Sequence, residues 1–422
     1  MLSYEFFMDL AIILLATKLF GVLAKKLHLP QVVGALIAGL VLGPTLLNLV
    51  HGSEFIDKMA ELGVIVIMFT AGMETDIKQL KSTGKASFII AMMGILLPLG
   101  AGFLVAGIYY QNMGSMTQVE LFKNIFIGVI LTATSVSITV EALREMGKLK
   151  TKTGTAILGA AIIDDILGII ILTMLIGFGD ASVSVIEVLL KILLFFVSAG
   201  VVGFGANLLF KKLCQRHGRR RRRMPIYSLV FCLVMAYGAE KLFGVADITG
   251  AYMAGIIISN ISLSNSTLSE YVTEKVDVTS YLLLSPIFFA SIGIKATVGH
   301  IDLQMILFAS ALLAAAVITK LGGCGLGAKM CGFSGKDALR VGTGMIARGE
   351  VALIVADKGV SAGLMSADLL TPVIIVVIAT SLLTPILLKT QYKGELVSHE
   401  VRPFDKTAQS GQCDLASTTK AS

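Results

Sequence analysis

The chain is a succession of long apolar stretches broken by short loops that hold most of its charge, and this decides which solvent the fold must satisfy. Apolar runs read against breakers and charges predict thirteen helical segments, at about 5–26, 30–43, 55–73, 84–110, 119–145, 152–178, 184–213, 226–243, 246–261, 271–297, 303–332, 336–360 and 368–390. A bilayer-spanning helix needs roughly 20 apolar residues, and the 422 residues allow about a dozen. Hydrophobic residues make up 55% of the chain and charged residues 15%, with a mean hydropathy of +0.85. The expectation is an all-α polytopic membrane protein with no soluble domain of ordinary size. The start, MLSYEFFMD, is acidic and lacks a small-residue cleavage site, so the first stretch reads as a retained span. The cysteines (Cys214, Cys232, Cys324, Cys331, Cys413) show no CxxC spacing, which speaks against a disulfide or zinc framework.

Lys and Arg fall in alternate loops, which predicts orientation. One set holds Lys25 and Lys26, then Lys78, Lys81 and Lys85, then Arg144, Lys148, Lys150 and Lys152, then the run from Lys211 to Arg223, then Lys329, Lys336 and Arg340. This set is expected in the cytoplasm, which puts the N-terminus outside and the C-terminus inside the cell membrane. The net charge of +7 is largely this bias, so no nucleic-acid partner is expected. Arg219, Arg220, Arg221, Arg222 and Arg223 join segments 7 and 8 as a cytoplasmic anchor, with recruitment of anionic lipid as the alternative.

An internal repeat is visible. Segment 2 contains V33-G34-A35-L36-I37-A38-G39 and segment 9 contains T249-G250-A251-Y252-M253-A254-G255, the same G-A-x-x-A-G pattern. Segments 3 and 10 carry A71-G72-M73 and I292-G293-I294 at the same separation. The copies sit seven segments apart, and an odd separation reverses direction, as an inverted repeat requires. The repeats are expected at about 1–178 and 226–390, with a linker helix at about 184–213. Small-residue helix packing is the alternative source of the pattern.

In inverted-repeat transporters the substrate lies near the midplane, where helices are interrupted. Segment 5 carries LTATSVSITV at 131–140, whose hydroxyls compete for backbone hydrogen bonds; segment 12 carries GTGMIARGEVALIVA at 342–356, with three glycines and a charged pair. Both are expected to unwind. The alternative for segment 5 is a mere kink.

Segment 6 places Asp164 and Asp165 halfway along the run AAIIDDILGII. An ionised Asp at the centre of a spanning helix costs roughly 2.5–3.5 kcal/mol on insertion scales, so both should face an interior cavity on an ion or proton path. Successive positions point about 100° apart, so the two carboxylates should divide their duties. Lys320, inside the apolar segment 11, is the best counter-charge for one of them; snorkelling to the interface is its alternative. Arg348 and Glu350 lie in segment 12, where they pair locally or offset dipole ends at the break. The GxGxxA pattern at Gly323–Ala328 has no strand before it and reads as close helix packing.

A carboxylate in such a cavity binds either a proton or a hard monovalent cation, with carbonyl and hydroxyl oxygens completing the shell. Competition for one carboxylate is exchange. No catalytic triad, phosphate loop or histidine metal cluster competes with this reading, so neither an enzyme nor a cofactor is expected. His28, His51, His217, His300 and His399 all fall in loops or the tail. A passive cation channel is the alternative of a different class, and it would not need a membrane-buried Asp that titrates.

Thr134 and Ser135 in segment 5, AIIDDILG in segment 6, ITKLGG in segment 11 and GMIARGEVALIVA in segment 12 together resemble the monovalent cation:proton antiporters, specifically the NapA-like branch of the second such family. The resemblance covers about residues 1–390. It implies the inverted-repeat NhaA-like antiporter fold with thirteen transmembrane helices, two of them, segments 5 and 12, discontinuous and crossing. It further implies Asp165 as the ion- and proton-binding carboxylate, holding Na⁺ or Li⁺, with K⁺ as the alternative. Asp164 would form a salt bridge with Lys320 that breaks as the ion binds, while Thr134 and Ser135 line the site. A homodimer with an elevator-like motion is implied too, and the Asp pair favours electrogenic exchange. The polar stretch 391–422 is expected to be a disordered tail, with no nucleotide domain in this chain.

Overall fold

The computed structural model describes residues 4–27, 29–112, 114, 116–179, 185–216, 223–262, 266–295, 302–361 and 363–393. The described chain is helical: α1 Glu5–Lys26, α2 Gln31–Leu42, α3 Glu54–Glu74, α4 Ile77–Tyr109, α5 Gln118–Thr132, α6 Val136–Glu145, α7 Lys152–Gly179 and α8 Val185–Arg216. There follow α9 Met224–Phe243, α10 Asp247–Ser262, α11 Ser266–Thr279, α12 Ser285–Ile294, α13 Leu303–Met330, α14 Gly335–Gly344, α15 Glu350–Ser361 and α16 Leu370–Tyr392. Nine helices among the described residues are long and apolar enough to cross a membrane. Residues such as Leu15, Phe204, Leu307 and Ile318 stand well exposed on the outside of the bundle. In lipid such a surface is solvated, because the hydrocarbon is as apolar as the side chains. The sequence expectations for Arg219 to Arg222, and for the tail beyond Lys393, lie outside the described residues.

Local chemistry sets the boundaries. Thr117 and Glu120 form a reciprocal capping box at the start of α5, and Asp302 accepts from the Met305 N–H at 2.6 Å to open α13. Segment 4 begins at Ile77 rather than near 84, because the Asp76 carboxylate accepts from the Lys78 N–H at 2.8 Å and caps a polar first turn. Segment 10 also begins early, at Ser266, and is not one α-helix: a π-helical turn at Ser280–Leu284 separates α11 from α12. Val272, Val276 and Ser280 recur every four residues on a buried face, which holds the polar extension against the bundle.

Packing sorts the helices into two groups. α4, α5, α7 and α13 to α16 pack mainly on one another, and so do α1, α2, α3, α9, α10, α11 and α12. The groups meet where α6 and α16 lie against α2 and α3, while α8 touches α7 on one side and α9 and α10 on the other. Within the second group, any side chain at Gly39 would strike the backbone of Ala290, and any at Gly255 the backbone of Phe69. These are the closing glycines of the two G-A-x-x-A-G copies. Each lets two helix backbones approach where a methyl group would hold them apart.

Candidate ion-binding site

Segments 5 and 12 both unwind. The first leaves helix at 133–135 between α5 and α6, and the second at 345–349 between α14 and α15. An interruption frees backbone groups that have no water to turn to in a bilayer, so each needs a partner within the protein. The Ser135 N–H donates to the Ala347 carbonyl at 2.8 Å, which ties one break to the other. Thr139 Oγ1 donates to the Gly344 carbonyl at 2.7 Å.

Arg348 supplies the main charge at the crossing. It is 1% exposed, and its guanidinium donates to the Leu131 carbonyl near the end of α5 and to the Met345 carbonyl at 3.3 Å. A cation at a helix C-terminus offsets the negative end of the macrodipole, here in a medium that screens little. Its own backbone is fixed from α16: the Arg348 N–H donates to Thr380 Oγ1 at 3.1 Å, and Ser381 Oγ donates to the Arg348 carbonyl at 2.6 Å. The side chain of Glu350 lies outside what the structure describes.

Against the first break stand Asp164 of α7 and the lysine of α13. Lys320 is fully buried, and its Nζ lies 3.1 and 3.2 Å from the Asp164 oxygens and 2.8 Å from Thr134 Oγ1. The ammonium is therefore enclosed within the bundle rather than extended to its surface. Asp164 is 2% exposed and Asp165 7%, with Thr134 and Ser135 likewise buried. Asp165, one position on, projects from α7 in a different direction. Thr134, Ser135, Asp164, Lys320 and Arg348 thus gather around one crossing, built from α5, α6, α7, α13 and the 345–349 break.

Sequence reasoning missed Thr380 and Ser381. Their signal was present: TSLLT at 380–384 is a hydroxyl-bearing stretch in an otherwise apolar segment, like the one that marked segment 5.

Residues 11–390 match the sodium/hydrogen exchanger transmembrane family. The Na⁺/H⁺-K⁺ antiporter GerN of Bacillus cereus is 40% identical, over 92% of this chain and 96% of its own length. An Na⁺/H⁺ antiporter of Enterococcus hirae is 35% identical, over 91% and 97%. Two structures of the sodium proton antiporter MjNhaP1 from Methanocaldococcus jannaschii superpose with TM-scores of 0.64 and 0.69, covering 93% and 96% of this chain; at 18% identity they speak to the fold alone. Fold and sequence together define a multi-pass membrane transporter whose class of reaction is monovalent cation/proton antiport, not an enzyme. The chain belongs to the sodium/hydrogen exchanger family.

Proposed function

We propose that the protein exchanges Na⁺, or Li⁺, for protons across the cell membrane, with Asp165 as the carboxylate for which cation and proton compete. The observation that carries this reading is the engagement of Asp164 by Lys320 inside the apolar bundle, with a second buried carboxylate next to it. The second carboxylate is a hard oxygen ligand suited to a monovalent cation, and the Thr134 and Ser135 hydroxyls of the first break are the donors that would complete its shell. Electrogenic exchange fits two acids and one lysine, because the lysine can neutralise only one of them.

The wider reading follows the same lines. The reading keeps thirteen crossings in two inverted repeats, and the repeat is supported by the matched glycine contacts at Gly39 and Gly255. The end of the bundle with Lys25, Lys78, Arg144 and Arg340, called the basic end here, faces the cytoplasm by the distribution of Lys and Arg. The two helix groups move past each other in an elevator-like cycle, within a homodimer, and Arg219 to Arg223 anchor the chain at the cytoplasmic face, with recruitment of anionic lipid as the alternative. K⁺/H⁺ exchange is the second reading, favoured by the 40% identity to a relative named for both Na⁺ and K⁺.

The test is proton flux in proteoliposomes on addition of Na⁺, Li⁺ or K⁺, for wild type, Asp165→Asn and Asp164→Asn. Flux that needs Na⁺ or Li⁺ and disappears in Asp165→Asn is expected. Flux driven by K⁺ alone selects the second reading, and full exchange by Asp165→Asn would overturn the assignment of the carboxylate.

A further inference from the structure

A cavity of about 200 Å³ opens at the basic end of the bundle, between α6 on one side and α1, α2 and α12 on the other. It lies where the two helix groups meet. Its polar lining includes Thr17, Gln31, Glu141, Glu145, Tyr281 and Ser285, with Lys18 at the same wall.

The charged groups here are almost all committed. Glu145 spends both carboxylate oxygens on the Gln31 N–H, at 2.8 and 3.0 Å, and so caps α2. Arg144 is held by Glu74 of α3 at 3.0 Å and by Asp277 of α11 at 2.6 Å. Lys18 lies 3.5 Å from the Tyr281 hydroxyl, which donates to Gln31 Oε1 at 3.1 Å. Lys25 of α1 and Lys389 of α16 stand within electrostatic reach of Glu145. Glu141 is the least committed: among the described residues its buried Oε2 has no hydrogen-bond partner, and the Arg144 guanidinium, already held by Glu74 and Asp277, stands within electrostatic reach. A buried carboxylate oxygen without a partner is costly, and because Glu141 lines the cavity, a small rotation of its side chain would present that oxygen to a cation there. The cavity has room for several waters at about 30 Å³ each, hence for a partly hydrated cation.

Position makes Glu141 more than a local oddity. It lies on α6, the helix that starts at Ser135 in the first break, and six residues of helix rise about 9 Å. We propose that Glu141 is a second cation station: it draws a monovalent cation from the basic end and partly dehydrates it one step before the Asp165 site. The proposal rests on the antiport reading above and adds to it a residue that sets apparent cation affinity from that side.

The experiment titrates Na⁺ at the basic-end face of oriented proteoliposomes holding wild type, Glu141→Gln, Glu141→Asp or Glu145→Gln. Glu141→Gln should raise the half-saturating Na⁺ concentration roughly three- to tenfold, with maximal flux within about twofold of wild type. Glu141→Asp, which keeps the charge, should recover most of that affinity, a pattern that a merely structural role would not give. Glu145→Gln should lower thermal stability without the same affinity shift. If Glu141→Gln does not fold, Glu141→Ala takes its place: a raised half-saturating Na⁺ concentration supports the station, and an unshifted one overturns it. Unchanged half-saturation in a folded Glu141→Gln overturns it as well. Absence of cation-coupled proton flux in wild type would defeat the antiport reading instead, so the two failures are distinguishable.

Discussion

The backbone N–H of Ser135 donates to the carbonyl of Ala347 across 2.8 Å, so the interruption of one helix is closed by the interruption of another. Each unwound stretch would be prohibitive alone in hydrocarbon, because its freed groups would find no water. Crossed, they satisfy each other and leave a polar point inside an apolar bundle. Arg348 and the α16 hydroxyls take up further freed groups, and Asp164 of α7 meets the crossing through Lys320, which also bonds Thr134.

Arg348→Ala is expected to destabilise the crossing. It deletes the donor to the Leu131 and Met345 carbonyls, and a buried polar group left unsatisfied costs about 1–3 kcal/mol. The thermal unfolding midpoint in detergent should fall and exchange should weaken. Arg348→Lys keeps the charge but not the forked geometry, and should lie between the two. An unaltered midpoint in the alanine variant would show that the guanidinium does not hold the break.

The parts of this arrangement that were legible in the sequence are those with a local signature. Hydroxyls at 132–139 and glycines around 342–349 marked the breaks, because both disfavour continuous helix within a few residues. Asp164, Asp165 and Lys320 stood out because charge is costly at bilayer depth, and the scarcity of buried cations pointed to Lys320 as a partner. What was not legible depends on distant elements arriving in one place. Thr380 and Ser381 acquire meaning only when α16 lies beside the 345–349 break. Glu141 acquires its setting only when α1, α2 and α12 close around it. The early starts of α4 and α11 were hidden because a membrane reading follows apolarity, whereas Asp76 and the Val272/Val276 stripe extend helix into polar sequence.

The Lys320–Asp164 pair should behave as a coupled unit. Removing one partner strands a buried charge and costs about 3–5 kcal/mol, whereas replacing both is far milder. Lys320→Gln and Asp164→Asn should therefore each lower the unfolding midpoint more than the double variant does. A double-mutant cycle on thermal unfolding reads this directly, and additive losses would argue against the coupling. Lys320→Gln should also change the charge moved per cycle, read as an altered response of flux to membrane potential.

Competition at Asp165 fixes the sign of the pH dependence. If proton and cation share one carboxylate, lowering the pH raises the Na⁺ concentration needed for half-maximal exchange, at most about tenfold per pH unit by mass action. Flux at saturating Na⁺ should change far less. Flux titrations at several pH values check this, and a half-saturation independent of pH would mean that the two ions use different groups.

Gly94 offers a test of how finely the lysine is placed. A methyl group there would lie 2.6 Å from Cys324 Sγ and 3.4 Å from Lys320 Nζ, so α4 approaches α13 closely only because this residue has no side chain. Gly94→Ala should push Cys324 and the lysine aside, at about 1–3 kcal/mol for overpacking, and shift the ammonium away from Asp164 and Thr134. Gly100→Ala on the same helix meets open space and should gain up to about 1 kcal/mol from helix propensity, which separates crowding from any general effect of the substitution. Because the tightest contact is with sulfur, Cys324→Ala added to Gly94→Ala should restore both the unfolding midpoint and exchange. Failure of that rescue, with Cys324→Ala alone well tolerated, would mean that the space beside Lys320 is not what Gly94 provides.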